Sequence, residues 1–203
     1  MASLNQIGSS RVVPGGARAP YVAGMAYPPD IPNYSTQTGR TATADRIYMV
    51  PIYIDLPWTF SAIKSEQTSA GTTGNARYGL YRGSWNEGGA LIADLGAVSY
   101  PASTGLRTAT GSMAVTIPGW HTMVFLANAA LVSYGINEDA AAYAPRGAMA
   151  REFGVLGTSS LDIYGTGVGF RIAYGSQAYG ALPGTLPAVA GWDIQAPVLH
   201  LIG

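Results

Sequence analysis

Apolar and polar positions alternate along most of this chain with the period of strands rather than helices. In the stretch DRIYMVPIYIDLPWTF, Ile47, Met49 and Pro51 alternate with Tyr48, Val50 and Ile52, and Tyr53 and Ile54 continue the apolar run. A β-branched and aromatic run with an internal proline predicts a strand near a sheet edge, because proline gives no N–H to a ladder. Leu56-Pro57-Trp58 reads as a corner, and Thr59 to Gln67 as a second strand. A Thr/Ser/Gly loop then leads into a third strand, Arg77-Tyr78-Gly79-Leu80-Tyr81-Arg82. Downstream, Leu91 to Tyr100 reads as a strand bent or bulged at Gly96. Leu106 to Ile117 puts Met113, Val115 and Ile117 on one face. Trp120 to Ala127 is the most apolar run of the chain and predicts a central strand. Leu131 to Ile136, Leu161 to Tyr164, Val168 to Tyr174 and Pro197 to Ile202 complete the series. Only Ala140 to Glu152 favours a helical turn, and Pro145 and Gly147 limit it. About nine or ten short strands at this spacing predict an all-β fold, an antiparallel β-sandwich.

Residues 1–44 differ. Pro14, Pro20, Pro28, Pro29 and Pro32 break any periodicity, while Tyr21, Met25, Tyr27 and Tyr34 are spaced among them. Disordered linkers carry few aromatics, so this stretch reads as an extended arm that packs along another surface. A flexible tail with incidental tyrosines is the alternative. The expected organisation is an arm over 1–44 and a sandwich over 45–203.

Charge and length narrow the partners. The 203 residues suffice for one domain with its own core. Charged residues make up 11%, below the usual quarter or so, which points to surface covered by other subunits of a homo-oligomer. Eleven basic residues balance eleven acidic ones and Lys64 is the sole lysine, which argues against nucleic acid or an anionic membrane as partner. No run approaches the ~18 apolar residues of a spanning helix, so membrane insertion is not expected. The start, MASLNQIGSSRVVPGG, lacks the charged and apolar regions of a secretory signal, and a route other than secretion is expected for any role outside the cell. Cysteine is absent, which excludes disulfides, thiol catalysis and thiolate metal sites.

Candidate chemistry is sparse. Nucleophilic catalysis needs a base, and His121 and His200 both fall within apolar strands, where a structural role is expected. Glu138-Asp139 is the one adjacent acidic pair, but successive strand residues point to opposite faces, so solvated turn charges explain it better than a glycosidase pair. Asn137-Glu138-Asp139 lacks a full calcium-ligand pattern. Gly165-Thr166-Gly167-Val168-Gly169-Phe170 has phenylalanine where a dinucleotide fingerprint requires glycine, and no helical pattern follows. No catalytic, cofactor or metal residue is therefore assigned, and no cofactor is expected. Sugar recognition is the remaining possibility, since exposed aromatics stack on sugar rings while Asn and acidic groups bond hydroxyls. Trp85-Asn86-Glu87, at a hairpin tip with an exposed tryptophan, is the leading candidate, with contact between subunits as its equal alternative. Tyr179 and Trp192-Asp193, in the loop before the last strand, come second. Trp58 and Trp120 are read as core.

Three stretches together bring a family into view. DRIYMVPIYI resembles the first strand of the β-sandwich, jelly-roll-like domain of tail fibres, spikes and head fibres of tailed bacteriophages. ARYGLYRGSWNEGGALIADLGAVS resembles that domain's hairpin, with Tyr78-Gly79-Leu80-Tyr81, Gly89-Ala90-Leu91 and Asp94-Leu95-Gly96 in the matching places. FRIAYGSQAYGALPGTLPA and APVLHLIG resemble its C-terminal loop and closing strand. Gly88 stands where proline is commoner, and Ala140 to Leu161 has no counterpart. The resemblance implies a non-enzymatic virion protein, assembled in the host cytoplasm, exposed on the particle and trimeric. Residues 1–44 would attach it to other virion proteins, and the sandwich would meet host surface polysaccharide. A decoration, collar or joining protein of the virion is the alternative. A polysaccharide depolymerase is a third, for which no acid pair stands out.

Overall fold

A computed structural model describes residues 21–27, 34–70, 72–85, 87–138, 172–193, 195–197 and 199–203. These residues form strands β1 (Ala26–Tyr27), β2 (Tyr34–Thr41), β3 (Arg46–Ile54), β4 (Trp58–Gln67), β5 (Gly74–Arg82), β6 (Leu91–Tyr100) and β7 (Gly105–Val115). β8 (Gly119–Ala127), β9 (Val132–Glu138), β10 (Ile172–Ser176), β11 (Gly191–Asp193), β12 (Gln195–Pro197) and β13 (His200–Ile202) follow. Among the described residues there is no helix, and every ladder is antiparallel. One sheet runs β1-β13-β4-β9-β12, with β7 also on β4 and β2 also on β9; the other runs β11-β10-β3-β8-β5-β6. This is the all-β, two-sheet architecture that the alternation predicts.

Alternation explains how the layers stack. Along β3, Tyr48, Val50, Ile52 and Ile54 face inward and join a core with Phe60, Ile63, Tyr78, Leu80, Met123 and Phe125. Ile47 and Met49 face the other way, into a second cluster with Tyr81, Val124, Leu126, Leu182 and Leu186. β3 and β8 are therefore apolar on both faces, because the loop over residues 177–190 covers the outer one. Burying each such aliphatic or aromatic side chain contributes roughly 1.5–3 kcal/mol. β8 lies between β3 and β5, the central place its apolar run predicts.

The corner at Leu56-Pro57-Trp58 carries the chain from one sheet to the other, since β3 and β4 belong to different sheets. Gly96, at φ 78°, lies in the irregular stretch of the β5–β6 ladder, as its place in the strand predicts. Two expectations need correction. β3 is not an edge strand, because β10 pairs with it from Arg46 to Met49 while β8 pairs along its length. Pro51 lies beyond the described β10 rungs, which run from Arg46 to Met49. Ile117 lies beyond β7 and is 46% exposed, so it does not share the buried face of Met113 and Val115. Within the stretch read as an arm, the described residues pair and pack with the two sheets. β1 pairs with β13, β2 pairs with β9, and Tyr21 is buried against Trp58 and Phe60. The helical turn in 140–152, the strand at 161–164 and the glycine turn at 165–169 lie outside the described residues, as does Met1 to Pro20.

Candidate functional site

The outer face of the β3-containing sheet brings together Trp85 and Tyr179, two of the residues singled out by sequence. Asp94 on β6 is its hub. Arg77 Nε donates to both carboxylate oxygens at 2.8 and 2.9 Å, and the Gly96 and Leu182 N–H groups donate at 2.9 and 3.0 Å. Burial alone would raise the Asp94 pKa, but these donors outweigh it and hold the carboxyl below its usual value. One carboxylate thus fixes the β6 irregularity and pins the 177–190 loop. Asp45, at φ 58°, holds the other end of that loop: its carboxylate accepts from the Tyr179 N–H at 2.8 Å and its carbonyl from Gln177 at 3.0 Å. Between them Tyr81 OH donates to the Pro183 carbonyl at 2.7 Å. Leu91 N–H reaches Gly184 and Leu186 N–H reaches Gly89, both at 2.9 Å. Two glycines permit this approach. A Cβ at Gly79 would strike Leu182 and the Ala93 carbonyl, and one at Gly89 would overlap the Arg82 carbonyl.

The leading sugar-binding candidate is placed differently from expectation. Trp85 is 8% exposed and packs into the cluster under the loop, so its ring faces are not offered to solvent. The expected exposed tryptophan at the hairpin tip is corrected: the tip folds back, and the indole joins the outer core. Glu87 is exposed, yet one of its carboxylate oxygens accepts the Ser84 N–H at 2.9 Å and closes the turn. Tyr179 packs half-buried against the same cluster as Trp85, with its hydroxyl buried and without a hydrogen-bond partner. Burial raises its pKa. Asn86 lies outside the described residues. Trp192 and Asp193 pair with Ala173 and Ile172 on β10, and their side chains are likewise outside the description. The structure thus brings Trp85 and Tyr179 together, as packing.

The histidines are structural in their surroundings. His121 is 2% exposed with Nδ1 at 2.9 Å from the Gly119 carbonyl, and burial, with the Arg82 charge adding to it, lowers its pKa. Burial also lowers that of His200. No three His, Cys, Asp or Glu side chains cluster as metal ligands among the described residues.

Two further arrangements were not singled out by sequence. Between the sheets, the Ser65, Tyr78 and Tyr100 hydroxyls form a closed triangle with sides of 2.6 Å. Each donates once and accepts once, so three buried polar groups satisfy one another. Beside it the fully buried Gln67 bonds the Ser69 and Pro101 carbonyls and accepts from Arg107 Nε at 2.8 Å. The second arrangement is on the outer face. Tyr53 and Trp120 pair in register at the end of the β3–β8 ladder, with ring centroids 5.1 Å apart at 73°. Both are half-buried and belong to neither hydrophobic cluster. Trp120 is therefore not core, although Trp58 packs partly buried against the inner cluster as expected. The strand parity of Trp120, shared with outward-facing Val124 and Leu126, was the available clue. Compared with known proteins, the chain matches no protein family, no curated protein and no solved structure at a significant level.

Proposed function

We propose that the chain is a non-enzymatic structural protein of a tailed bacteriophage or phage-like particle, a fibre or spike component. Its N-terminal arm attaches it to other virion proteins in a trimer, and its sandwich is displayed on the particle toward host surface polysaccharide. One observation carries this reading. Arg77 to Arg82, Gly89 to Leu91, Asp94 to Gly96 and Tyr179 to Leu186 carry the likeness to phage fibre domains, and they interlock on one face through their own named residues. His121, buried and bonded to a backbone carbonyl, is not placed as a general base. The test is to look for the protein on purified particles with a specific antibody, and to compare host adsorption of particles with and without it. Its absence from particles would overturn the reading.

A second reading, a decoration, collar or joining protein, is favoured by the distribution of exposed apolar side chains. Leu56 and Ile117, 41% and 46% exposed, lie on the two sheet-crossing segments between the Ile54–Gly119 and Trp58–Val115 pairs. Val22 and Met25, each 54% exposed, follow Tyr21 beside the same end, where its hydroxyl accepts the Asp55 N–H at 3.3 Å. An apolar end of this kind suits contact between subunits. Replacing both Leu56 and Ile117 by Asp would disperse the oligomer under this reading and leave it intact under the first.

A further inference from the structure

We infer that β7 is an open sheet edge that pairs with the same strand of a second copy of this chain, antiparallel and about a twofold axis at Thr110. The contact is twofold and therefore separate from the trimer proposed above. It goes beyond the particle reading and does not depend on it.

Among the described residues β7 pairs only with β4, so its other edge is unpaired. It is the longest strand so placed, with eleven residues from Gly105 to Val115. A bare row of N–H and C=O groups is a template for another strand, and monomers guard it with proline, lysine or an inward charge. β7 has no proline and no lysine. Its single charge, Arg107, is turned back onto its own protomer. Nε donates to the Gln67 carbonyl oxygen at 2.8 Å, and the other guanidinium nitrogens donate to the Ser103 and Leu106 carbonyls.

Side chains alternate cleanly along the strand, although the β4–β7 ladder shifts register between Phe60 and Ala62. Ala109, Met113 and Val115 are buried, while Leu106, Thr108, Thr110, Ser112 and Ala114 are exposed, Leu106 at 64%. This exposed row is uncharged, and apart from Leu106 it is small.

The row fits its own copy. Full overlap of two antiparallel strands of residues 105–115 puts the axis at the middle position, Thr110. Thr110 then faces the partner's Thr110, Thr108 the partner's Ser112, and Leu106 the partner's Ala114. Hydroxyl pairs of this kind across strands are favourable, and each large leucine meets a small alanine. Arg107 falls opposite the partner's Met113, so no like charges meet. A twofold contact requires this reciprocity, in which residue i meets j and j meets i.

The other sheet widens the contact. β6 is its edge and lies on the same side, since a Cβ on Gly111 of β7 would come within 2.8 Å of the Leu95 side chain of β6. Ile92, Leu95 and Val98 are half-buried there against the inner cluster, and the one charge of β6, Asp94, is held by Arg77. Eleven strand residues span about 37 Å and stacked sheets stand about 10 Å apart. With its side chains, this side of the sandwich is on the order of 500 Å² per protomer, about 1,000 Å² for the pair, the lower bound of a specific interface. The expected dimer is therefore weak and concentration-dependent. With only 11% of residues charged, little repulsion keeps two such edges apart.

Because the chain has no cysteine, single cysteines report the register. Directly opposed residues of a ladder have Cα atoms about 4.5–5.5 Å apart, within disulfide range. On mild oxidation of the full chain, Thr110→Cys should link to its own copy. Thr108→Cys and Ser112→Cys should link to each other when mixed and far less when alone. Thr59→Cys, exposed on β4, is the control and should not link. Sedimentation over a concentration series should show association of the wild type, weakened about tenfold or more in Thr110→Lys, which sets two ammonium groups against each other at the axis. These positions are all exposed, so thermal midpoints should stay near that of the wild type. If Thr110→Lys does not fold, Thr110→Glu gives the comparison. Linking of Thr110→Cys no faster than that of Thr59→Cys, or association unchanged in Thr110→Lys, would overturn the pairing. Self-linking of Thr108→Cys as fast as that of Thr110→Cys would overturn the axis at Thr110. None of these results bears on the particle reading, which stands or falls on detection of the protein on purified particles.

Discussion

Raising the pH should unfold this protein through the hydroxyl triangle between its sheets. Tyr78 and Tyr100 are fully buried, each 2.6 Å from the other and from Ser65. Burial pushes the Tyr78 phenol well above its ordinary value of 10.0, and Tyr100 adds to the rise. Burial likewise raises Tyr100, against the pull of its bonds to Ser65 and Tyr78. In the unfolded chain both phenols ionise near 10. Below that pH both states are protonated, and the stabilisation is fully present. Above it the unfolded state sheds protons that the folded state retains, so stability falls until the folded pKa values are reached. The slope approaches about 1.4 kcal/mol per pH unit for each group, hence about 2.7 for the pair. Against a typical stability of about 5–15 kcal/mol, each pH unit over which both folded phenols stay protonated removes a sizeable part. Urea unfolding midpoints from pH 8 to 11.5 would show this, and phenolate absorbance near 295 nm would count titrating tyrosines in the folded state. Tyr78→Phe should cost about 1–3 kcal/mol at neutral pH by disturbing the triangle and should lower the alkaline slope by one proton. An equal slope in wild type and Tyr78→Phe would refute the reasoning. Titration of all 13 tyrosines near pH 10 in the folded protein would refute it equally.

Other perturbations probe the outer face. Asp94→Asn should loosen the 177–190 loop at a cost of about 1–3 kcal/mol, read as faster amide exchange at Leu182 and earlier proteolysis within the loop. Because the Asp94 pKa is lowered in the fold, its contribution is present above the ordinary carboxylate range and is lost as pH falls through the folded value; Asp94→Asn should flatten that acid limb of a urea titration. Gly89→Ala should destabilise more than a surface substitution, because its Cβ meets backbone rather than a movable side chain; the thermal midpoint reports it. Trp85→Ala should lose about 3–5 kcal/mol as a core truncation, and any loss of adsorption should follow the loss of fold. Wild-type stability in Trp85→Ala, with selective loss of glycan binding, would return the tryptophan to the surface.

The fold was legible where one rule acts on one strand at a time. Apolar alternation located β3 to β8 and the corner between sheets, because side chains on a strand alternate whatever the partner. Edge position was not legible, since Pro51 reports only that its own N–H is missing. Strands pair with β3 on both sides, β10 at Arg46 to Met49 and β8 along its length, so the missing N–H does not by itself mark an edge. The two tryptophans show the same limit more sharply. Trp85 lies in a turn among Gly, Ser, Asn and Glu, and Trp120 opens the most apolar strand, so local composition assigns the first to solvent and the second to the core. The structure reverses both assignments. What decides is the reach of the 177–190 loop, roughly a hundred residues away from Trp85 in sequence, whose Leu182 and Leu186 share a cluster with that indole and not with Trp120. Parity along β8 placed Trp120 on the outer face from the start, but no pattern in the strand could say whether anything would cover that face. Burial on an outer sheet face is thus a property of the covering segment.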